Sequence, residues 1–258
     1  REHLKDAREL AAESMVLLKN NGVLPLNKDY KITLLGPFAD EKRSLFGTWT
    51  LDGVVTDITC FSEAMRKRVG TKRIKNYIDG KQDVIVLALG EDWKLTGEAK
   101  SMADISLSTE QKDLIKLAKA FGNKVVGVFF CGRPLALEDV EEDLDAILYA
   151  WHGGTETANA ACDILFGDTV PSGKAAVTFV RKTGHIPLYY NVTSSGRYVN
   201  GYYGEEDQKC YEDGVSSPLY PFGYGLSYTT FSYSKPQMDK NQVLLNELKN
   251  GTKIRVHV

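Results

Sequence analysis

Three short segments of this chain are apolar or aromatic at almost every position: VIVLALG over residues 84–90, VVGVFF over 125–130 and AILYAW over 146–151. A strand with one face in water alternates polar and apolar residues. An uninterrupted run of this length is a strand buried on both faces. Between and after these runs the apolar spacing changes to that of a helix, over 108–121 and 155–166. Buried strands alternating with amphipathic helices specify an α/β fold, a mostly parallel β-sheet flanked by helices on both faces in a three-layer sandwich. In such a sheet, ligands meet the loops at the carboxyl ends of the strands. The loops after Ala39, Gly90, Gly132 and Trp151 are therefore the ones to read for chemistry.

The other elements follow from the same patterning. Residues 2–19 read as one helix, with Leu4, Ala7, Ala11, Ser14, Met15 and Leu18 on one face and Asn20–Gly22 as its stop. ITLLGPFA, 32–39, reads as a buried strand with its turn, 56–68 as a helix, 73–78 as a short strand and 174–179 as a last strand. Ser108 is the expected N-cap of the helix over 108–121, with Gln111 at the capping-box position, and Thr155 the expected N-cap of the helix that ends near Phe166. From about Gly184 the chain turns into an irregular Tyr/Gly-rich tail. Two strand-like pieces close it, FSYS at 231–234 and KIRVHV at 253–258, and together they read as the truncated start of a β-sandwich. The expected division is a linker helix and lead-in over 1–30, the α/β sandwich over 31–231 and that β-sandwich start over 232–258.

Composition narrows the function. The net charge is −2 and no basic stripe runs along any element, so nucleic acid is not an expected partner. The opening REHLKDAREL reads as a polar helix rather than a signal peptide, and no apolar run is long enough for a membrane span. The four cysteines are scattered without ligand spacing; Cys131 and Cys162 read as small buried hydrophobes. No metal site and no cofactor is expected.

The loop leaving the strongest strand, 90–108, carries Glu91 and Glu98. On residue pattern alone it reads first as a solvated acidic surface. A carboxylate at a strand's carboxyl end is also well placed to act as a general acid on a bound ligand. Arg133, in CGRPLAL, stands where it can approach a ligand, pair with a loop carboxylate or brace a turn. Trp151 and His152 open WHGGTET, where they can face a ligand or simply pack. The glycine-rich pattern there lacks the lysine and spacing of a phosphate loop.

Several blocks recur together and in order: AAESMVLLKNNGVLPL, LLGPFAD, FGTWT, the Gly90-Glu91, Glu98 and Asp104 layout, CGRPLAL, the stretch 151–179 and PLYPFGYGLSYTTF. They resemble the second domain of family 3 glycoside hydrolases, the β-glucosidases and β-xylosidases of bacterial periplasmic type, over about residues 7–232. Thr157 and Cys162 depart from the glycine and alanine usual there. The resemblance implies the acid/base-bearing domain of a retaining, exo-acting β-glycosidase, working on a β-linked oligosaccharide or glycoside. The acid/base would be Glu91, with Glu98 a close second, and Arg133, Trp151 and His152 would be near the substrate. The nucleophilic Asp would come from an N-terminal barrel domain as partner, without which the chain would be inactive. The tail would lead into a fibronectin type III-like domain. The alternative is a non-catalytic α/β module that binds a ligand or docks a partner chain.

Overall fold

The computed structural model describes residues 2–191, 211–215 and 217–258. Its elements in chain order are α1 (Glu2–Ser14), β1 (Val16–Asn20), β2 (Ile32–Leu35), α2 (Arg43–Phe46), α3 (Phe61–Val69), β3 (Ile74–Lys75), β4 (Val84–Gly90), α4 (Thr109–Ala120), β5 (Lys124–Phe130), α5 (Glu138–Glu141), β6 (Ala146–Tyr149), α6 (Thr157–Leu165), β7 (Gln237–Met238), α7 (Leu245–Lys249) and β8 (Val256–His257). Contacts divide the chain into two compact units, Arg1–Tyr228 and Thr229–Val258.

The first unit is the α/β sandwich. Its six-stranded sheet has the order β1-β6-β5-β4-β2-β3. All pairings are parallel except the edge pair β1–β6. Successive residues of a strand point to opposite faces, and two cores result. Val84, Val86, Ala88, Val126, Val128 and Phe130 join α1, α3 and α6 on one side. Ile85, Leu87, Leu89, Val125, Phe129 and Tyr149 join α4 on the other. On the first side, Asp163 of α6 accepts both Arg8 of α1, at 2.5 and 2.6 Å, and Arg68 of α3, so one carboxylate pins three helices.

The expected single helix over 2–19 is in fact a helix and a strand. α1 stops at Ser14, and Val16–Asn20 forms β1. Met15 and Leu17 enter one core, Val16 and Leu18 the other, and all four are fully buried. A helix cannot send four consecutive side chains alternately into two cores; a strand does. The helix expected over 56–68 starts later, at Phe61, after a turn at Val55–Asp57. Residues 174–179 do not join the sheet. They run beside the tail instead, through Ala175 N–H to Tyr224 O at 2.8 Å and a single bridge between Phe179 and Tyr220. The N-cap position of α6 is Glu156, not Thr155, and it carries no side-chain cap. Cys131 and Cys162 are buried, while Cys210 lies outside the described residues, as does much of the Tyr/Gly-rich tail.

In the second unit, β7 pairs antiparallel with β8. KIRVHV supplies β8, whereas FSYS forms no strand. Among the described residues no helix is long and apolar enough to cross a membrane.

Candidate active site

The chain runs from β2 to β3 on one side and then crosses to β4 on the other, so the topology switches between β2 and β4. Strand-connecting loops diverge there and leave a crevice at the carboxyl ends. It measures about 960 Å³ and is lined by Gly36 and Pro37 after β2, by Gly90 at the end of β4 with Glu91 and Asp92 beyond it, and by the first turn of α4. Of the five sequence candidates, Glu91 alone lines it.

The exit from β4 is rigid. Gly90 has φ +140°, and a Cβ added there would stand 2.6 Å from the Phe130 carbonyl carbon of β5. Gln111 brackets the same peptide: its amide oxygen accepts Gly90 N–H at 2.9 Å and its NH₂ donates to Gly90 O at 2.9 Å. The expected capping box is therefore only half present. Ser108 caps α4, but the Gln111 side chain is spent on β4.

Beyond Gly90 the loop is stapled from three directions. Arg133, after β5, donates from Nε to Glu91 Oε2 at 2.9 Å and from Nη2 to Leu95 O and, at 3.2 Å, to Lys100 O. Thr48, after α2, reaches Trp93 O and Thr96 O at 2.7 and 2.6 Å. The Arg43 guanidinium lies 4.1 Å from the Trp93 ring centre. At the far end, Asp104 accepts Ser106 N–H at 2.9 Å and Thr183 Oγ1–H at 3.1 Å. Neither Gln111, Thr48 nor Thr183 is a sequence candidate for this role. Gln111 is visible only as a helix-cap residue, and nothing in the local pattern marks the two threonines.

The two glutamates end up in opposite surroundings. Glu91 is 8% exposed. Burial pushes its carboxyl up from the ordinary value, and the Arg133 charge and hydrogen bond oppose that shift. Glu98 is exposed and has no hydrogen-bond or ion-pair partner among the described residues. Its neighbours Gly97 and Ala99 both have positive φ, +107° and +57°. For alanine this region is uncommon and costs about 1–3 kcal/mol. The surrounding staples hold that bend and present Glu98 outward.

Arg133 thus pairs with a loop carboxylate. Trp151 is half-buried against the core: its indole N–H donates to Ser14 O at 3.1 Å, and its ring packs edge-on against Tyr149 at 4.6 Å. His152 packs between loops, close against Gly47 and Gly132. Burial pulls its pKa down to about 4, so the ring is neutral near pH 7. Among the described residues there is no group of His, Cys, Asp and Glu that could hold a metal ion.

Removing Arg133 would leave Glu91 buried with no counter-charge. Arg133→Met is expected to destabilise the chain by about 3–5 kcal/mol near neutral pH, read from urea unfolding. Burial raises the folded-state pKa of Glu91 above its unfolded value. The variant is therefore most stable where that carboxyl is protonated and loses stability as pH rises through the carboxylate range. A penalty that does not depend on pH would show that Arg133 acts by packing alone.

Residues 15–228 match the family model of the glycosyl hydrolase family 3 C-terminal domain. A periplasmic β-glucosidase of Salmonella typhimurium is 38% identical over 90% of this chain and 36% of its own length. A β-xylosidase of Formosa agariphila is 32% identical over 95% of the chain and 36% of its own. The crystal structure of a β-glucosidase from Listeria innocua in complex with glucose superposes with a TM-score of 0.80 at 35% identity, over 92% of this chain and 34% of that one. The chain spans about a third of the length of these relatives.

Proposed function

Because the chain belongs to glycosyl hydrolase family 3, we propose that it supplies the acid/base of a retaining, exo-acting β-glycosidase acting on a terminal β-linked glucose or xylose. A barrel domain would supply the nucleophile and most contacts to that sugar. The observation that carries this reading is the braced loop over 91–104, which holds an exposed carboxylate, without a partner among the described residues, at a strained bend.

We assign the acid/base role to Glu98, the second of the two candidates, in place of Glu91. A strand-end position favours Glu91, and burial raises its pKa as a general acid requires. Yet its carboxylate is engaged by Arg133 at 2.9 Å, where it ties the loop to β5. A group that donates and recovers a proton in each cycle needs to meet the glycosidic oxygen directly. Glu98 is free to do so once a second domain closes over it and shields it from water.

A retaining mechanism needs two carboxyl groups about 5–5.5 Å apart, one of them the nucleophile. On this reading the chain alone releases aryl groups from aryl β-glucosides at trace level, and turnover appears when a family 3 barrel domain is supplied in trans or by fusion. Robust turnover by the purified chain, with a glycosyl-enzyme trapped on Glu91 or Glu98, would overturn the division of labour. If an intact barrel brings no turnover, a ligand-binding or docking module becomes the better reading.

A further inference from the structure

We propose that Thr48 is a positioning residue for Glu98, acting through the backbone of the loop that carries it. The inference rests on reading that loop as the acid/base loop.

Thr48 lies in the connection after α2, about fifty residues from Glu98 in sequence, and its side chain meets the loop with both its substituents. Its hydroxyl lies 2.7 Å from Trp93 O, 2.6 Å from Thr96 O and 3.1 Å from the Thr96 hydroxyl. One hydroxyl has one proton to donate and lone pairs to accept. The one proton of Thr48 is shared between the two carbonyls, which accept it, and the Thr96 hydroxyl lies alongside, so that residues 93 and 96 gather around one atom. Its methyl side faces Gly97, where an added Cβ would stand 3.0 Å from Thr48 Cβ. The backbone thus crosses Thr48 immediately before Glu98, at the glycine whose φ of +107° begins the bend.

Arg133 holds Leu95 O and Lys100 O from the β5 side. Thr48 holds the loop from the β2 side. Glu98 projects between these two clamps, so its placement is set by parts of the chain that never touch its carboxyl. A misplacement of a catalytic group by about 1 Å can cost about 10²-fold in rate, enough for such a clamp to be read kinetically.

Two variants in the chain combined with its barrel domain test this. Thr48→Val keeps the shape and removes the hydroxyl; Thr48→Ser keeps the hydroxyl and removes the methyl. Thr48→Val is expected to slow phenyl β-glucoside, whose leaving group needs the proton, by about 10- to 100-fold. Dinitrophenyl β-glucoside, which needs little protonation, should stay within about 3-fold, and Thr48→Ser should recover most of the loss. Amide exchange at residues 96–99 of Thr48→Val should quicken while β5 stays protected. An equal loss on both substrates, or Thr48→Ser as slow as Thr48→Val, overturns the proposal even if Glu98→Gln remains leaving-group selective. If Glu98→Gln is itself unselective, the acid/base assignment falls and this proposal falls with it. Should Thr48→Val not fold, Thr48→Ser decides by its exchange: fast exchange at 96–99 with the hydroxyl intact contradicts the hydroxyl's role, and slow exchange supports it.

Discussion

On the proposed reading, Glu98→Gln, in the chain combined with a family 3 barrel domain, is expected to lower kcat/KM for glucosides with poor leaving groups by about 10²–10⁴-fold. Dinitrophenyl β-glucoside should be far less affected in its glycosylation step, since its leaving group departs without a proton. Azide should then rescue turnover and yield a glycosyl azide, because a small anionic nucleophile can occupy the space of the lost carboxylate and needs no base. Glu91→Gln serves as the comparison. It removes the charge that Arg133 meets at 2.9 Å, so it should slow both classes of substrate alike and lower the unfolding midpoint. The selective pattern with azide rescue in Glu91→Gln alone would return the role to the strand-end residue. If neither variant shows it, the acid/base lies outside this chain.

The second large effect is structural. Gly90→Ala is expected to cost about 4 kcal/mol or more, or to abolish the folded state, because two penalties coincide. The residue sits at φ +140°, and the new methyl would be driven into the Phe130 carbonyl of the neighbouring strand. Backbone in a central parallel pair cannot retreat without breaking the ladder that joins Gly90 to Phe130. Gly122→Ala isolates the conformational part. Its φ is +72° and its Cβ would meet nothing within 4 Å, so it should cost only about 1–2 kcal/mol. Urea unfolding of the two variants checks the difference. Equal penalties would mean that the close approach of β4 to β5 does not dictate the glycine.

The same contrast, between what a residue's neighbours in sequence impose and what distant residues impose, runs through the molecule. β4, β5 and β6 are legible in the sequence because burial on both faces demands an apolar residue at every position, whatever packs there. The Ser108 cap of α4 is equally local, and it is present. β1 was not legible as a strand. Met15 to Leu18 suit a helix face as well as a strand, and only the backbone of β6, with Val16 opposite Tyr149, decides between them. Residues 174–179 have a strand's composition but sit outside the sheet, paired with the tail beyond them.

The carboxylates of the site were legible as members of one loop leaving the strongest strand. Their roles were not. Whether a carboxylate is spent or free depends on who stands beside it, and Arg133 comes to Glu91 across 42 positions of sequence. Thr48 reaches the same loop across 45 and 48 positions. Trp151 and His152 follow a strand and could face a sugar or simply pack, and local pattern does not choose between the two. In the folded chain the half-buried indole packs on the aromatic core, and the imidazole lies against Gly47 and Gly132. The sheet and the loop bearing both candidate glutamates are written in local pattern, since hydrophobic burial is encoded in each strand's own residues. Which glutamate is tied down and which is presented is set by tertiary contacts, since hydrogen bonds and charge act through space between segments that share no local signal.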